Sequence, residues 1–256
     1  MLHKKVKFLL FFCLLTFSFF GQIGRQSRLP NYFGFQVRTI FPTRFIGESA
    51  STLSKDGFST TISQKMGYSF GGTVRVGLTE LIALETGINL TQRYYGLKMS
   101  LADSNLTADD QFGFIQYDIP INALIYIKFT DKFYMNASFG VAMGYKPSSI
   151  GIITNPGGTH QFLNIGLVDI HKKIGVDINA NLGFEYRTKK AGIFYVGGSA
   201  RLPLSPLFQL ITKYKNGTYG IVNYGNVNGS YLSLDFKYFL PNHIVQGRFA
   251  PHGPIE

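Results

Sequence analysis

Hydrophobic and polar residues alternate with a period of two along most of the chain beyond residue 31. Successive side chains of a β-strand point to opposite faces, so this alternation predicts strands that separate an apolar face from a polar one. It predicts eight strands, at residues 32–41, 66–78, 82–97, 112–128, 133–146, 173–186, 192–204 and 230–240.

The connections between these strands alternate in length. Three are short and four are long: the short ones are Thr79–Leu81, Phe129–Lys132 and Arg187–Ala191, and the long ones are 42–65, 98–111, 147–172 and 205–229. Outer-membrane barrels show this alternation because their periplasmic turns are tight and their outside loops are longer. We therefore expect an all-β fold, an eight-stranded antiparallel up-and-down transmembrane β-barrel over residues 32–240.

The two faces of the predicted strands differ in charge. One face carries residues such as Val74, Ile88 and Ile121 and has no charged residue in any strand. The other is rich in Gly and Asn and carries six cations and five acids: Arg38, Arg75, Arg93, Lys128, Arg201, Lys237, Glu85, Asp118, Asp177, Glu185 and Asp235. A soluble barrel turns its apolar face inward, whereas a membrane barrel turns that face to lipid. Small residues and nearly balanced charges suit a crowded interior where charges are tolerated in pairs, so we expect the polar face inside.

The short turns predict which of these charges meet. With Thr79–Leu81 as the turn, residues whose numbers sum to 160 lie opposite each other, which places Arg75 against Glu85. A five-residue turn at 187–191 likewise sets Asp177 opposite Arg201. We expect both pairs to be structural ion pairs of the lumen.

The first 21 residues have the pattern of a secretory signal peptide. A basic start with three lysines precedes an apolar run from Phe8 to Phe20, which is too short to span a membrane as a helix. Cleavage after Gly21 removes those lysines and lowers the formal charge from +11 to +8. It also removes Cys13, the one cysteine, so the mature chain has no thiol. Residues 22–31 are then a periplasmic segment before the barrel, and 241–256 a flexible C-terminal tail.

Several stretches of the chain carry a family pattern. The motif Tyr-x-Ile-Pro stands at Tyr117–Pro120, within the stretch IQYDIPINALIYIKFTDKFYMNASFGVAMGYK at 115–146. With FGGTVRVGLTELIALETGINLTQRYYGLKM (70–99), VDINANLGFEY (176–186), GGSARLPLSPL (197–207) and YLSLDFKYF (231–239), the chain resembles the PorT-like outer-membrane β-barrel family of Bacteroidota, a porin-like barrel domain. The resemblance implies an outer-membrane barrel, and some relatives serve type IX secretion and gliding machinery. Such barrels often end on the last strand's aromatic residue, whereas this chain continues past Leu240.

Catalytic signals in the sequence are weak. His160, Asp169 and His171 share one long loop with Ser148 and Ser149, so a lipid hydrolase or acyltransferase is conceivable. That chemistry needs a nucleophile bonded to an oriented base, and no spacing here enforces it. A metal site at His160 and His171 is weaker still, because the residues between them fix no geometry. We expect no catalytic residue, no cofactor and no metal.

The remaining motifs favour turns and exposed loops. TNPGGTH at 154–160 lacks the Lys of a phosphate-binding loop and predicts a hairpin turn. The stretch 208–226 alternates around Asn216–Gly217, which predicts a hairpin that either offers an edge to a partner or simply extends two strands. Arg187, Lys189 and Lys190 are expected to be solvated beside lipid headgroups. Nucleic-acid binding is excluded for an exported barrel whose excess charge is scattered over turns and loops.

The sequence thus indicates a non-enzymatic protein of the outer membrane of a Gram-negative bacterium. We expect a monomeric barrel in outer-membrane lipid, acting as a structural, docking or assembly component. Its envelope protein partners, such as those of a secretion machinery, would bind the extracellular loops 147–172 and 205–229. A lipid-modifying outer-membrane enzyme is the alternative, and a narrow solute channel is less favoured because eight strands leave little free bore.

Overall fold

The computed structural model of the chain describes residues 29–43, 46, 49–170, 173–188 and 190–241. The predicted signal peptide with Cys13, the tail beyond Pro241, His171 and Lys189 lie outside the described residues. Within the described ranges, no helix is long and apolar enough to cross a membrane.

The fold is all-β, and every strand pair in it is antiparallel. The described residues form thirteen strands: β1 (Tyr32–Pro42), β2 (Ala50–Lys55), β3 (Phe58–Gly77), β4 (Ile82–Leu101), β5 (Leu106–Lys128), β6 (Phe133–Tyr145), β7 (Ile150–Gly157), β8 (His160–Leu167), β9 (Ile174–Thr188), β10 (Gly192–Pro203), β11 (Phe208–Asn216), β12 (Tyr219–Val227) and β13 (Tyr231–Phe239). One 3₁₀ turn, Ala102–Ser104, links β4 to β5.

The prediction of eight strands was therefore wrong in number. The eight predicted strands correspond to β1, β3, β4, β5, β6, β9, β10 and β13, and the other five strands lie in segments that the sequence predicted to be loops. In addition, β3 begins eight residues before its predicted start at 66, and β4 and β5 also reach into predicted loops. The segments 42–65, 98–111, 147–172 and 205–229 are thus largely folded into sheet.

The eight strands that the sequence predicted pair in the order β1-β13-β10-β9-β6-β5-β4-β3. β1 pairs with β3 as well, from Tyr32 opposite Arg75 to Ile40 opposite Gly67, so the order of hydrogen-bonded pairs returns to the strand where it began. We call these eight strands the ring. A β-bulge between Lys65 and Tyr68 shifts the register of β3 against β4, and it reverses which residues of β3 face inward.

The ring turns its polar face inward and its apolar face outward, as the sequence predicts. Arg75, Glu85 and Asp118 are at most 3% exposed, whereas Ile88 is 65% and Phe139 64% exposed. A water-soluble fold would reverse this arrangement, because burial of apolar surface is what stabilises it. The exterior of the ring is therefore suited to a hydrocarbon medium rather than to water.

A second unit stands at the end of the ring where the long connections lie, and we call it the lobe. It consists of two facing four-stranded layers. One is β2 with residues 58–65 of β3, 95–101 of β4 and 106–114 of β5, and the other is the separate sheet β12-β11-β8-β7. Between them lies an apolar core in which the rings of Tyr95, Phe112 and Phe208 pack with centroids 5.3–5.7 Å apart. The lobe thus has an apolar core, which lies at one end of the charged interior of the ring.

The polarity of both faces inverts where the ring meets the lobe. On β4 the inward residues are polar or glycine from Glu85 to Arg93 and apolar from Tyr95, while the outward residues change from Tyr94 to Lys98 and Ser100. The inward residues of β5 change near the same level. They are polar at Asp118 and Gln116 and apolar at Phe114 and Phe112, which pair with Arg93 and Tyr95. On β4 and β5 the exterior is apolar on one side of this level and polar on the other. Such a change is expected where the surrounding medium changes from hydrocarbon to water.

Candidate functional site

Four buried ionic groups form a connected series in the half of the lumen next to the short turns. Arg75 Nη2 lies 2.7 Å and Nε 3.1 Å from Glu85 Oε2 across the β3–β4 pair, where the two residues are directly opposite. The other terminal nitrogen of Arg75 donates to Glu185, and Lys237 donates to the second oxygen of Glu85. Asn136 adds a hydrogen bond of 2.6 Å to Glu185. The predicted pair is therefore part of a larger series of ionic contacts, in which Arg75 and Glu85 each have a second charged partner.

Arg187 extends this chain to the mouth of the lumen. Its guanidinium donates to Glu185 Oε2 at 3.0 and 3.2 Å and lies 3.9 Å from the centre of the Tyr134 ring. The expectation that this turn residue is solvated beside lipid headgroups was wrong for Arg187, whose side chain is 15% exposed. The sequence could have indicated this position, because Arg187 is two residues after Glu185 and such residues of a strand point to the same face. β9 continues two residues beyond its predicted end, so Arg187 points inward.

Arg201 contacts two carboxylates in the half of the lumen next to the lobe. Its Nη1 lies 2.8 Å from Asp118 Oδ2 and 3.1 Å from the Tyr231 hydroxyl, and its Nε lies 3.1 Å from Asp177 Oδ2. The predicted register of this hairpin was wrong by two residues, because Asp177 faces Pro203 and Arg201 faces Asn179. The ladder runs on to Thr188 opposite Gly192, which leaves a turn of three residues instead of five. The ion pair forms diagonally because the arginine side chain spans the offset.

A third ionic contact lies between these two groups. Arg38 Nε lies 3.2 Å from Asp235 Oδ2 across the β1–β13 pair, in which the two residues are opposite. The hydroxyls of Ser199 and Ser233 and the amide of Asn181 also donate to this carboxylate. The Asp235 carboxylate therefore has its hydrogen-bonding capacity met by several donors and does not rely on one partner.

Arg93 lies at the junction of the lumen and the lobe. It is fully buried, and its contacts in the described part of the chain are with neutral groups. It donates to the backbone carbonyl of Gly229 and, at 3.4 Å, to Gln116, and its guanidinium lies 4.7 Å above the Tyr231 ring. These contacts with the Gly229 carbonyl and the Tyr231 side chain hold the segment between β12 and β13 at the end of the lumen. They therefore connect the lobe to the eight strands of the ring.

The lumen is tightly packed as well as charged. The Tyr195 hydroxyl lies against Gly183 and Gly197, and a Cβ added at either glycine would overlap its oxygen. Only glycine leaves room for this phenol, which donates to Asn181 on the neighbouring strand β9. The chemistry available in this interior is therefore mutual neutralisation and stiffening, since the charged groups described above are engaged with one another or, for Arg93, with neutral groups.

Lys128 was wrongly assigned to the lumen. It is more than half exposed and lies 2.7 Å from the exposed Asp131 in the β5–β6 turn. The ammonium of Lys128 lowers the pKa of the Asp131 carboxyl below its usual value. Among solvated charges such a pair adds little stability.

Among the described residues considered for catalysis, His160 lies apart from the two serines. His160 begins β8 and its Nδ1 is 2.6 Å from the Tyr214 hydroxyl, whereas the Ser149 hydroxyl, at the opposite end of β7, accepts a hydrogen bond from the backbone of Val168. Ser148 precedes it in the same exposed connection, and Asp169 follows β8. Among the described residues, no three His, Cys, Asp or Glu side chains are grouped so that they could hold a metal ion.

Both hairpins predicted in the long connections are confirmed. Residues 154–160 connect β7 to β8, and β11 and β12 pair from Phe208 opposite Val227 to Asn216 opposite Tyr219. Gly217 adopts φ +58, which favours the glycine found there. Of the two interpretations of residues 208–226, extension of the ring strands was wrong, because β11 and β12 belong to the separate sheet, in which β11 pairs with β8.

Comparisons with known proteins give a loose likeness to outer-membrane folds. The backbone overlaps with the outer membrane protein OprG from Pseudomonas aeruginosa at a TM-score of 0.47 and 10% identity, covering 84% of this chain and 98% of OprG. It overlaps with the β domain of the Bordetella autotransporter BrkA at a TM-score of 0.19 and 8% identity, covering 81% and 99% of the two chains. No protein-family model matches the sequence, and no curated protein does.

Proposed function

We propose that the protein is a non-enzymatic outer-membrane β-barrel, closed by its eight ring strands, that presents the lobe outside the membrane as a docking or assembly component. The observation that carries this is the inversion of polarity along β4 and β5. An apolar exterior over a charged lumen, followed by a polar exterior over an apolar core, is what a chain requires when it passes from lipid into water. The pairing of β1 with β3 supports the closed eight-stranded form.

The packing of the interior favours a structural role over a solute channel. Arg75, Glu85 and Arg201 are engaged in the lumen, and Phe112 and Phe208 pack over its outer end. A conducting pore needs a continuous wet path, and an apolar core in line with the lumen opposes one. We propose the structural or docking role in preference to conduction for this reason.

The resemblance to PorT-like barrels bears on the setting of this role. Its motif residues Tyr117–Pro120 lie on β5, where Tyr117 faces outward at the level of the polarity inversion and Asp118 faces inward against Arg201. In a barrel of that kind, the lobe would serve an envelope assembly such as a secretion machinery. The Asp118 and Arg201 contact would then hold the motif strand to the opposite wall.

Fractionation and conductance test the proposal together. The mature protein is expected with the outer membrane, and its unheated form should migrate faster on gels than its boiled form, because a closed ladder resists detergent until heated. Reconstituted into planar bilayers, it is expected to give no steady conductance. Recovery as a soluble monomer would refute the membrane assignment, and steady single-channel currents would refute the closed lumen.

A further inference from the structure

The two layers of the lobe have outer faces of opposite character. On the layer formed by β2 to β5, the outward residues are hydroxyl-bearing or charged, such as Thr52, Thr61, Lys98 and Thr107. This is the ordinary surface of a sheet whose other face is in a core. The opposite sheet packs against the same core, and its outward residues include many apolar ones.

The apolar outward residues of β7, β8, β11 and β12 lie in two rows, the second of which also contains Lys213. In one row Ile165 pairs with Ile211, and Ile211 pairs with Tyr224. In the next, Leu163 lies between Ile153 and Lys213, and Lys213 pairs with Val222. Tyr224 is 73% and Ile153 58% exposed, although each belongs to a sheet that already has its own buried face. We call these two rows the apolar sheet face.

Lipid does not account for the apolar sheet face. Phe208 of this sheet packs on Tyr95 and Phe112, which lie beyond the level at which the exterior of β4 and β5 becomes polar. β7 also begins only after Tyr145, the exposed residue that pairs with Tyr117. Exposed tyrosines at strand ends are typical of the membrane interface, so the sheet lies outside the apolar belt.

The charge of the sheet restricts what covers it. Lys213 and Lys215 are exposed on the outward side of β11, and the four strands contain no Asp or Glu. A second copy docked by two-fold symmetry would bring these lysines together with no acid between them. A partner that buries the two rows must therefore supply the carboxylates.

We propose that the apolar sheet face is the docking surface of the lobe, and that its occupant is a different protein whose contact surface is apolar and carries carboxylates opposite Lys213 and Lys215. This rests on the proposed outer-membrane function and names the class of partner. The outer face of the four strands, about 4.8 Å apart and about 3.3 Å per residue, covers roughly 500 Å², and the two rows occupy about half of it. That area is below the roughly 800 Å² per partner of a standard interface, which corresponds to a transient contact.

Photocrosslinking in cells of the native host tests this. A photoreactive amino acid replaces Tyr224 on the apolar sheet face or, as the matched control, Thr107 on the polar layer. We expect a protein adduct from position 224 and none from 107. The double reversal Lys213→Glu with Lys215→Glu should lower the yield by about tenfold or more, because like charges across an interface oppose binding. The double reversal Lys65→Glu with Lys98→Glu on the polar layer should leave it unchanged.

Each other outcome overturns the proposal. These are an adduct of lipid, an adduct of a second copy of this chain, equal crosslinking at both positions, no adduct at 224, or a yield that the Lys213 and Lys215 reversal does not change. The heat-dependent gel shift is measured for every variant, so that loss of crosslinking by a misfolded barrel is recognised. If the unmodified protein lacked that shift, the membrane assignment itself would be wrong, whereas a normal shift without an adduct would remove only the docking surface.

Discussion

Arg75 and Glu85 lie directly opposite each other on β3 and β4, but neither residue depends on the other alone. Arg75 also donates to Glu185, and Glu85 also accepts from Lys237. The ionic contacts therefore run from Arg187 at the mouth to Lys237 through four strands of the ring. In such a chain, a change at one member alters the environment of groups that it does not touch.

Reversal of the opposed pair tests this arrangement. Arg75→Glu or Glu85→Arg alone should cost about 3–5 kcal/mol of stability, because each leaves buried charges without partners. The double reversal should not recover that loss, since it places the new carboxylate at position 75 against Glu185 and the new guanidinium at position 85 against Lys237. The temperature at which the fast-migrating folded form disappears on gels measures the effect. Full recovery in the double variant would mean that Arg75 and Glu85 form an isolated pair.

Arg187 provides a test at the lumen mouth. Arg187→Gln should lower the stability of the folded form by on the order of 1–3 kcal/mol, because it removes charged hydrogen bonds to the buried Glu185. Lys190→Gln removes the same charge at an exposed residue of the turn that follows β9, and it should have almost no effect. Equal effects in the same gel assay would show that Arg187 is solvated as Lys190 is.

Two neighbouring glycines test the packing of the lumen. Gly197→Ala should destabilise the protein by about 1–3 kcal/mol, because its methyl group would overlap the Tyr195 hydroxyl. Gly198→Ala adds the same methyl group to the outer face, where its nearest neighbour is 3.8 Å away, and should be tolerated. Thermal unfolding in detergent compares the two. A loss confined to Gly198→Ala would invert the assignment of the two faces of β10.

Epitope tags test which end of the ring is outside. Tags at Asp56–Gly57 in the β2–β3 turn or after Gly217 in the β11–β12 turn should be accessible on intact cells, since both turns belong to the lobe. A tag in the short turn at residues 189–191 should be detected only after lysis. Surface labelling with an antibody to the tag measures this, and the reverse pattern would place the lobe in the periplasm.

The alternation of the sequence was sufficient to predict the ring and its orientation. Within the ring, each strand keeps one environment on each face, so the period of two reports the faces directly, as it does for Arg75 and Glu85. It failed where the environment changes along a strand. At Lys65 to Tyr68 a bulge reverses the parity of β3, and beyond Tyr94 and Ile115 the apolar residues move to the other face. The apolar face changes sides at these points, and the segments 42–65 and 98–111 were predicted to be loops although they continue the strands.

The sequence by itself determined that the chain forms antiparallel strands with one charged and one apolar face, because side-chain alternation depends only on local backbone geometry. It also determined the opposition of Arg75 and Glu85, which a short turn fixes. Only the tertiary structure decided the diagonal contact of Arg201 with Asp177, the insertion of Arg187, and the packing of Phe208 on Tyr95. These contacts depend on register, on the reach of long side chains and on the meeting of strands far apart in sequence, and no local pattern encodes them.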